Sequence, residues 1–280
     1  MIRHKVKNMH KALLLLITMV FSVSAASLND KVIYLDNIKE LVILTQKMRG
    51  DLNVYLKGGD VTYTELYDNN DNVDTSLRDL HRKFQTVNMR TDNEFSKLNL
   101  YMQSLNDIST DLRPMTTFKA YSLLINEMII LGADVQTDLF IDNSERHQKV
   151  SAVMMNTILP ITENLGKLRG MGSGVTAYGE CEDEECSALE DYIVAVLDDL
   201  DELVLQMQSL SYEYKSMYPQ SLNSELNRYQ REVKKYIRLV ELKLLNEERV
   251  DVDTYDFFTQ GTSLIDQTLK YYTMNEMLLK

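Results

Sequence analysis

Apolar residues recur every three or four positions over long stretches of the chain, which is the spacing of one face of an α-helix. Helix-breaking residues are few, and they separate the chain into eight helical segments. The segments are predicted at 28–57, 62–88, 92–112, 115–141, 145–178, 187–217, 220–247 and 254–279. Because the turns between them are short, neighbouring helices are expected to run antiparallel.

These elements predict an all-α fold of about eight antiparallel helices that form two packed four-helix bundles. We assign residues 26–143 to the first bundle and residues 144–280 to the second, with both forming one domain. A short repeat supports this division, because Met48-Arg49-Gly50 in the first helix matches Leu168-Arg169-Gly170 in the fifth. The chain has only 10 glycines and 3 prolines in 280 residues, too few for the turns of an all-β fold.

Residues 1–25 have the three parts of a secretory signal peptide. A basic start precedes an apolar run over residues 12–23, which is too short to span a bilayer comfortably. Small residues in Val23-Ser24-Ala25 then suit a signal peptidase. We therefore predict cleavage near Ala25 and export to the periplasm. The alternative is an uncleaved N-terminal segment that anchors the protein.

Charge and histidine content argue against several functions. The formal net charge is -12, and a chain this acidic is repelled by the phosphates of nucleic acid, so we expect no nucleic acid partner. Beyond residue 25 the only histidines are His81 and His147, which are far apart in sequence, and no glycine-rich loop follows a predicted strand. We therefore predict no enzyme activity and no cofactor.

Both cysteines, Cys181 and Cys186, lie in one short polar segment. In an exported protein, two thiols so close together can close a small disulfide loop, which is our prediction. Two reduced surface thiols are the first alternative. A metal site of two thiolates and nearby acids is the second, but the segment lacks histidine and we expect no metal.

The first predicted helix carries an arginine on its apolar face. Steps of three and four residues give a stripe of Ile38, Val42, Thr45, Arg49, Leu52 and Leu56. A guanidinium buried without a partner is strongly unfavourable. Arg49 must therefore meet either a carboxylate from a neighbouring helix or an anionic ligand.

The fifth predicted helix combines a second arginine with several glycines. Arg169 lies at the edge of its apolar stripe, and Gly166, Gly170, Gly172 and Gly174 follow each other closely. Each glycine in a helix costs roughly 1 kcal/mol relative to alanine. Close approach of another helix, or of a ligand, would compensate for this cost, and both explanations stay open.

Three segments of the chain resemble the nitrate- and nitrite-sensing helical domain of bacterial receptors and regulators. The first is Leu44-Thr45-Gln46-Lys47-Met48-Arg49-Gly50 with Tyr55-Leu56-Lys57-Gly58-Gly59. The second runs from Glu163 to Gly174 and the third from Asp256 to Asp266. Together these segments extend the resemblance over nearly the whole chain after residue 25.

The resemblance implies two packed four-helix bundles and an anion held by one arginine from the first helix and one from the fifth. Here these are Arg49 and Arg169. A planar guanidinium fork matches planar, singly charged nitrate with two parallel hydrogen bonds, which lysine cannot do. The residues expected around the two arginines are Thr45, Gln46, Gly170 and Ser173.

The chain departs from the family in two ways. Met48 stands where the family commonly has a glutamate before the arginine, and the loss of a carboxylate there is expected to favour anion binding or to change which anion fits. The family's domain usually leads into a transmembrane helix and a signalling output, and this sequence stops at Lys280 before either.

We therefore predict an exported module that binds and senses nitrate or nitrite and signals through a separate membrane-bound sensor or receptor, with a homodimer also compatible. The alternative is a structural or protein-interaction bundle in which Arg49 and Arg169 form internal ion pairs. Geometry separates the two hypotheses. Two arginines that share a site without a carboxylate favour sensing, whereas an acid on each arginine favours the structural role.

Overall fold

The computed structural model describes residues 27–61, 63–84 and 89–280, so the predicted signal peptide and its cleavage lie outside the described residues. Within these ranges the chain forms eight helices and no strand, which confirms the all-α prediction. No helix in the described ranges has the length and apolar content to cross a membrane. The helices are α1 (Leu28–Leu56), α2 (Tyr63–Phe84), α3 (Met89–Ile108), α4 (Pro114–Phe140), α5 (Glu145–Val153, a π-helical turn at Met154–Ile158, and Leu159–Tyr178), α6 (Asp183–Glu213), α7 (Leu222–Val240, prolonged by a π-helical turn at Glu241–Leu245) and α8 (Thr254–Leu279).

Local capping explains where several helices begin and end. At the start of α1, the Ser27 hydroxyl accepts a hydrogen bond from the Asp30 amide at 3.2 Å, and the Asp30 carboxylate accepts one from the Ser27 amide at 3.1 Å. Asp253 caps α8 by accepting from the Asp256 amide at 2.8 Å. At the C-terminal end of α5, Gly179 takes a left-handed conformation with φ of 83°, which glycine adopts without a Cβ clash.

Several helix boundaries differ from the prediction by three or four residues, and the start of the sixth helix is the one that bears on the disulfide. The sixth helix was expected to begin at residue 187, but α6 begins at Asp183 because Glu182 and Glu185 form a capping box. Acidic residues in this first turn also interact favourably with the positive end of the helix dipole. Cys186 therefore lies in the first turn of α6, whereas the sequence placed it in the preceding turn.

The helices pack as two sets of four. α1 packs against α2 and α4, and α3 closes the first set between α2 and α4. α5 packs against α6 and α8, and α7 closes the second set between α6 and α8. The two sets meet most extensively where α1 packs on α5, a contact called the α1–α5 seam below. The predicted pair of four-helix bundles is thus present, while the domain boundary at residue 143 stays a prediction.

The structure joins Cys181 to Cys186 in a disulfide, as predicted. The bridge lies at one end of the α1–α5 seam, beside the last turn of α1. There the Lys57 ammonium contacts Glu185 at 2.8 Å and Glu182 at 3.1 Å. The disulfide therefore fixes the start of α6 where α6 contacts the end of α1.

We expect protein recovered from an oxidising compartment to show no free thiol until it is reduced. Reduction should leave the helical content almost unchanged and lower the free energy of unfolding by at most about 2 kcal/mol, because the closed loop is short. Thiol labelling and circular dichroism, each with and without a reductant, measure both effects. Stoichiometric labelling of unreduced native protein would contradict the expectation.

Candidate functional site

The two predicted arginines lie beside the point where α1 and α5 approach each other most closely. A Cβ atom placed on Gly170 would lie 3.2 Å from the Cα atom of Gly50, and one on Gly50 would lie 3.7 Å from the Cα atom of Gly170. The approach is tight at Gly170, where an added Cβ would force its neighbours to shift by a few tenths of an ångström, whereas at Gly50 a Cβ would be in ordinary contact. Arg49 and Arg169 each precede one of these glycines, so the crossing brings both arginines to the α1–α5 seam.

Arg49 is buried and has a carboxylate partner. Its Nη1 and Nη2 atoms donate to the two carboxylate oxygens of Glu163 at 2.5 and 3.2 Å, and Nη1 also donates to the Ser122 hydroxyl at 2.8 Å. The guanidinium lies over the Phe118 ring, 4.7 Å from its centroid. Because Glu163 is itself only 1% exposed, this is a fully buried ion pair in which the charge of Arg49 is compensated.

Arg169 is also buried but has no such partner. Its Nη1 atom donates to the Thr262 hydroxyl at 2.8 Å, and its guanidinium lies 4.5 Å from the centroid of the Phe258 ring. Among the described residues, no carboxylate lies within 4.0 Å of its nitrogen atoms. Burial lowers the pKa of Arg169 to about 10, and the positive charge of Arg49 acts in the same direction. The seam therefore holds a buried positive charge without a direct counter-ion.

The surroundings of the two arginines repeat each other. Each guanidinium stacks on a phenylalanine from the last helix of its bundle, α4 or α8, and each Nη1 donates to a hydroxyl one helical turn after that phenylalanine. The matched pairs are Arg49 and Arg169, Phe118 and Phe258, and Ser122 and Thr262. The repeat seen in sequence thus corresponds to two equivalent arginine environments.

The carboxylate partner of Arg49 has no counterpart in the repeat. Glu163 precedes Arg169 on α5, and at the same distance before Arg49 on α1 stands Ile43, which is apolar. The chain therefore builds two arginine environments with a stacking ring and a hydroxyl, but among the described residues only one of them has a carboxylate. This asymmetry is the principal electrostatic feature of the seam.

Several buried polar atoms along the seam make no hydrogen bond with described residues. They are Nε2 and Oε1 of Gln46, Nε of Arg49, Oδ1 of Asn53, Nε of Arg169 and Oγ of Ser173. Buried polar groups are nearly always satisfied in folded proteins, and each exception calls for an explanation such as a bound water or ion. Four of the six can donate, namely Nε2 of Gln46, the two arginine Nε atoms and the Ser173 hydroxyl, and hydrogen-bond donors are the groups that hold an anion.

The glycines of α5 make room for these groups. A Cβ atom on Gly166 would lie 3.3 Å from Nη2 of Arg49 and 3.3 Å from the carboxamide of Gln46. A Cβ atom on Gly174 would lie 2.1 Å from Nδ2 of Asn53, which donates to the Gly170 carbonyl at 3.0 Å. The glycines therefore allow both backbone approach and close packing against polar side chains, which is the first compensation considered for the fifth helix, while the approach of a ligand stays a prediction.

The residues expected around the arginines differ in their roles. Gln46 and Ser173 are buried at the seam with unpaired polar atoms, and Gly170 forms the crossing. Thr45 is also buried, but its hydroxyl donates to the Leu41 carbonyl at 2.8 Å within its own helix. Of the two partners left open for Arg49, a carboxylate from a neighbouring helix or an anionic ligand, the structure shows the carboxylate, which is Glu163 from α5.

Sequence reasoning gave no site role to Glu163, Ser122 or the two phenylalanines. Glu163 carried a signal, since it is the one acidic residue among residues 158–168 and lies between the apolar Ile161 and Leu165. The other partners could have been found by extending the repeat, because a phenylalanine followed one turn later by a hydroxyl occurs in both α4 and α8.

Comparison with known proteins identifies the family. The family described as nitrate and nitrite sensing, NIT, matches residues 40–276, so the chain belongs to this family. A solved structure, described as the structure of the NasR transcription antiterminator, is similar with a TM-score of 0.66 and 14% sequence identity. The similarity covers 90% of this chain and 68% of that chain, and at this identity it shows a shared fold. No curated protein matches the sequence.

The asymmetry of the seam predicts that the two arginines contribute differently to stability. Arg49→Met should lower the free energy of unfolding by about 3–5 kcal/mol, because it leaves the buried Glu163 carboxylate without its partner. Arg169→Met should be nearly neutral or stabilising, because it replaces a buried uncompensated charge by an apolar side chain of similar length. Urea unfolding in anion-poor buffer measures both. Equal large losses in the two variants would show that Arg169 is also a structural ion-pair residue.

Proposed function

We propose that this protein binds nitrate or nitrite at the α1–α5 seam, with Arg169 as its principal ligand and with Arg49, whose fork is held by Glu163, beside the site. The observation that carries the proposal is the buried guanidinium of Arg169, which has no carboxylate within 4.0 Å among the described residues. Membership in the nitrate and nitrite sensing family supports the identity of the anion. The activity is binding and signalling rather than catalysis.

The Arg49 environment supports a planar oxyanion as ligand. There a carboxylate, which is planar and singly charged like nitrate, accepts two hydrogen bonds from a guanidinium stacked on Phe118. Phe258 and Thr262 hold the Arg169 guanidinium in the same way. Nε of Arg169, the amide of Gln46 and the hydroxyl of Ser173 have no other partner among the described residues, so they are the groups that we expect to complete the site.

Ligand binding at this seam would change the packing between the two bundles. Without an anion, the Arg169 guanidinium has no direct counter-ion among the described residues and is repelled by the charge of Arg49, and an anion bound to Arg169 would supply the missing attraction. Because α1 and α5 are central to their respective bundles, a change in their spacing reaches α4 and α8 through the phenylalanines stacked on the arginines. This gives the protein two arrangements whose equilibrium the ligand can shift.

We further propose that the protein is exported to the periplasm after cleavage near Ala25 and reports to a separate membrane-bound sensor or receptor. The N-terminal sequence pattern and the disulfide between Cys181 and Cys186 support export. The proposal is also compatible with a homodimer.

For Arg49 alone, its pairing with Glu163 favours the alternative, structural role.

A screen of small anions tests the binding proposal. Nitrate or nitrite at about 100 times its Kd should stabilise the protein by about 2.7 kcal/mol, which raises the melting temperature by roughly 5–10 °C for a chain of this size. Differential scanning fluorimetry with nitrate, nitrite, chloride and sulfate at matched ionic strength measures the effect. If no small anion at millimolar concentration raised the melting temperature, the sensing proposal would be wrong.

Substitution of Arg169 tests the assigned ligand. Arg169→Lys keeps the charge but loses the planar fork, so it should weaken nitrate binding while the protein stays folded. Arg169→Ala should weaken it further, by about 2–5 kcal/mol, or roughly 30-fold to several thousand-fold. Isothermal titration calorimetry measures both, with Arg228→Ala as the control because the Arg228 side chain is 66% exposed. Wild-type affinity in Arg169→Ala would exclude Arg169 as a ligand.

A further inference from the structure

Lysines near the seam are compensated by an arrangement that also repeats. Lys167 donates to the Asn164 side-chain oxygen at 3.3 Å, and the amide of Asn164 donates to the Asp199 carboxylate at 2.7 Å. In the other half, Lys47 donates to the Asn69 side-chain oxygen at 3.2 Å, and the Asn69 amide donates to the Asp51 carboxylate at 2.8 Å. In each half an asparagine therefore links a lysine to an aspartate.

The remaining charges at the seam do not balance. The fork of Arg49 is bound to Glu163, and Lys167 lies 3.8 Å from the same carboxylate as well as near Asp199. The carboxylates of the described residues that act on Arg169, those of Asp51 and Asp266, do so only at longer range. Of the buried charges in the described part of the seam, one positive charge is thus without a direct counter-ion.

We propose that Glu163 is the residue that selects the charge of the ligand, so that the site accepts singly charged planar anions and rejects divalent ones. This inference rests on the proposed function. By compensating Arg49, Glu163 reduces the uncompensated charge at the site from two guanidinium groups to one. A nitrate or nitrite ion bound to Arg169 would then neutralise the remaining positive charge.

Buried charge explains the selectivity. In a site removed from water, an uncompensated charge is poorly solvated and is strongly disfavoured. A sulfate ion on Arg169 would leave one excess negative charge close to the Glu163 carboxylate, and the two would repel each other. Without the negative charge of Glu163, both guanidinium groups would be free to bind the ligand. Their two positive charges would then match the charge of a divalent anion.

The test compares nitrate and sulfate binding by isothermal titration calorimetry at constant ionic strength. Wild-type protein should bind nitrate more tightly than sulfate by about tenfold or more. Glu163→Gln keeps the size and a hydrogen-bond acceptor but removes the charge, and it should shift the ratio of the two Kd values towards sulfate by about tenfold or more. Glu163→Asp keeps the charge and should retain the preference for nitrate.

Asp199→Asn is the matched control, because it removes one negative charge beside Lys167 without touching either arginine. It should change the ratio of the two Kd values by less than about twofold, since its carboxylate is partly solvated. An unchanged ratio in Glu163→Gln, or an equal shift in Asp199→Asn, would overturn the role of Glu163.

The same experiment separates this inference from the proposed function. Wild-type protein that binds neither nitrate nor nitrite would overturn both. Wild-type protein that binds nitrate and sulfate equally well would overturn the role of Glu163 alone. Because this last measurement needs no variant, it tests the inference even if Glu163→Gln does not fold.

Discussion

Burial of two arginine side chains at one helix crossing is the constraint on which the rest of the structure depends. A guanidinium can leave water only if stacking rings, hydroxyls and an anion replace its hydration. Arg49 obtains all three, from Phe118, Ser122 and Glu163. Arg169 obtains only a ring and a hydroxyl from described residues, so the stability of the seam depends on how its charge is compensated.

The glycine crossing makes this arrangement possible. Gly50 and Gly170 let the backbones of α1 and α5 approach, and Gly166 leaves space beside the Arg49 fork. With alanine at Gly170, a Cβ atom would lie 3.1 Å from the Phe118 ring and 3.2 Å from Gly50, so the helices would have to move apart. The same helices pack against most of the other helices of their bundles, so a change in their spacing would bear on both bundles.

Much of the fold could be predicted from the sequence, because helix length and position depend on local periodicity and capping. Arg49 was placed on a buried face, and its need for an anion followed from the cost of burying its charge. The identity of that anion did not follow, because Glu163 reaches Arg49 across a helix pair whose register is set by tertiary packing. The position of Cys186 was misjudged for a different reason, since a capping box of two glutamates extended α6 towards the disulfide.

The most direct test of anion binding at the seam is a crystal structure of the protein grown with nitrate. A planar anion should lie between α1 and α5, with its oxygens accepting hydrogen bonds from Arg169 and from Gln46 or Ser173, while Glu163 stays paired with Arg49. A carboxylate of the protein paired directly with Arg169 would contradict it, as would nitrate bound only at other surfaces.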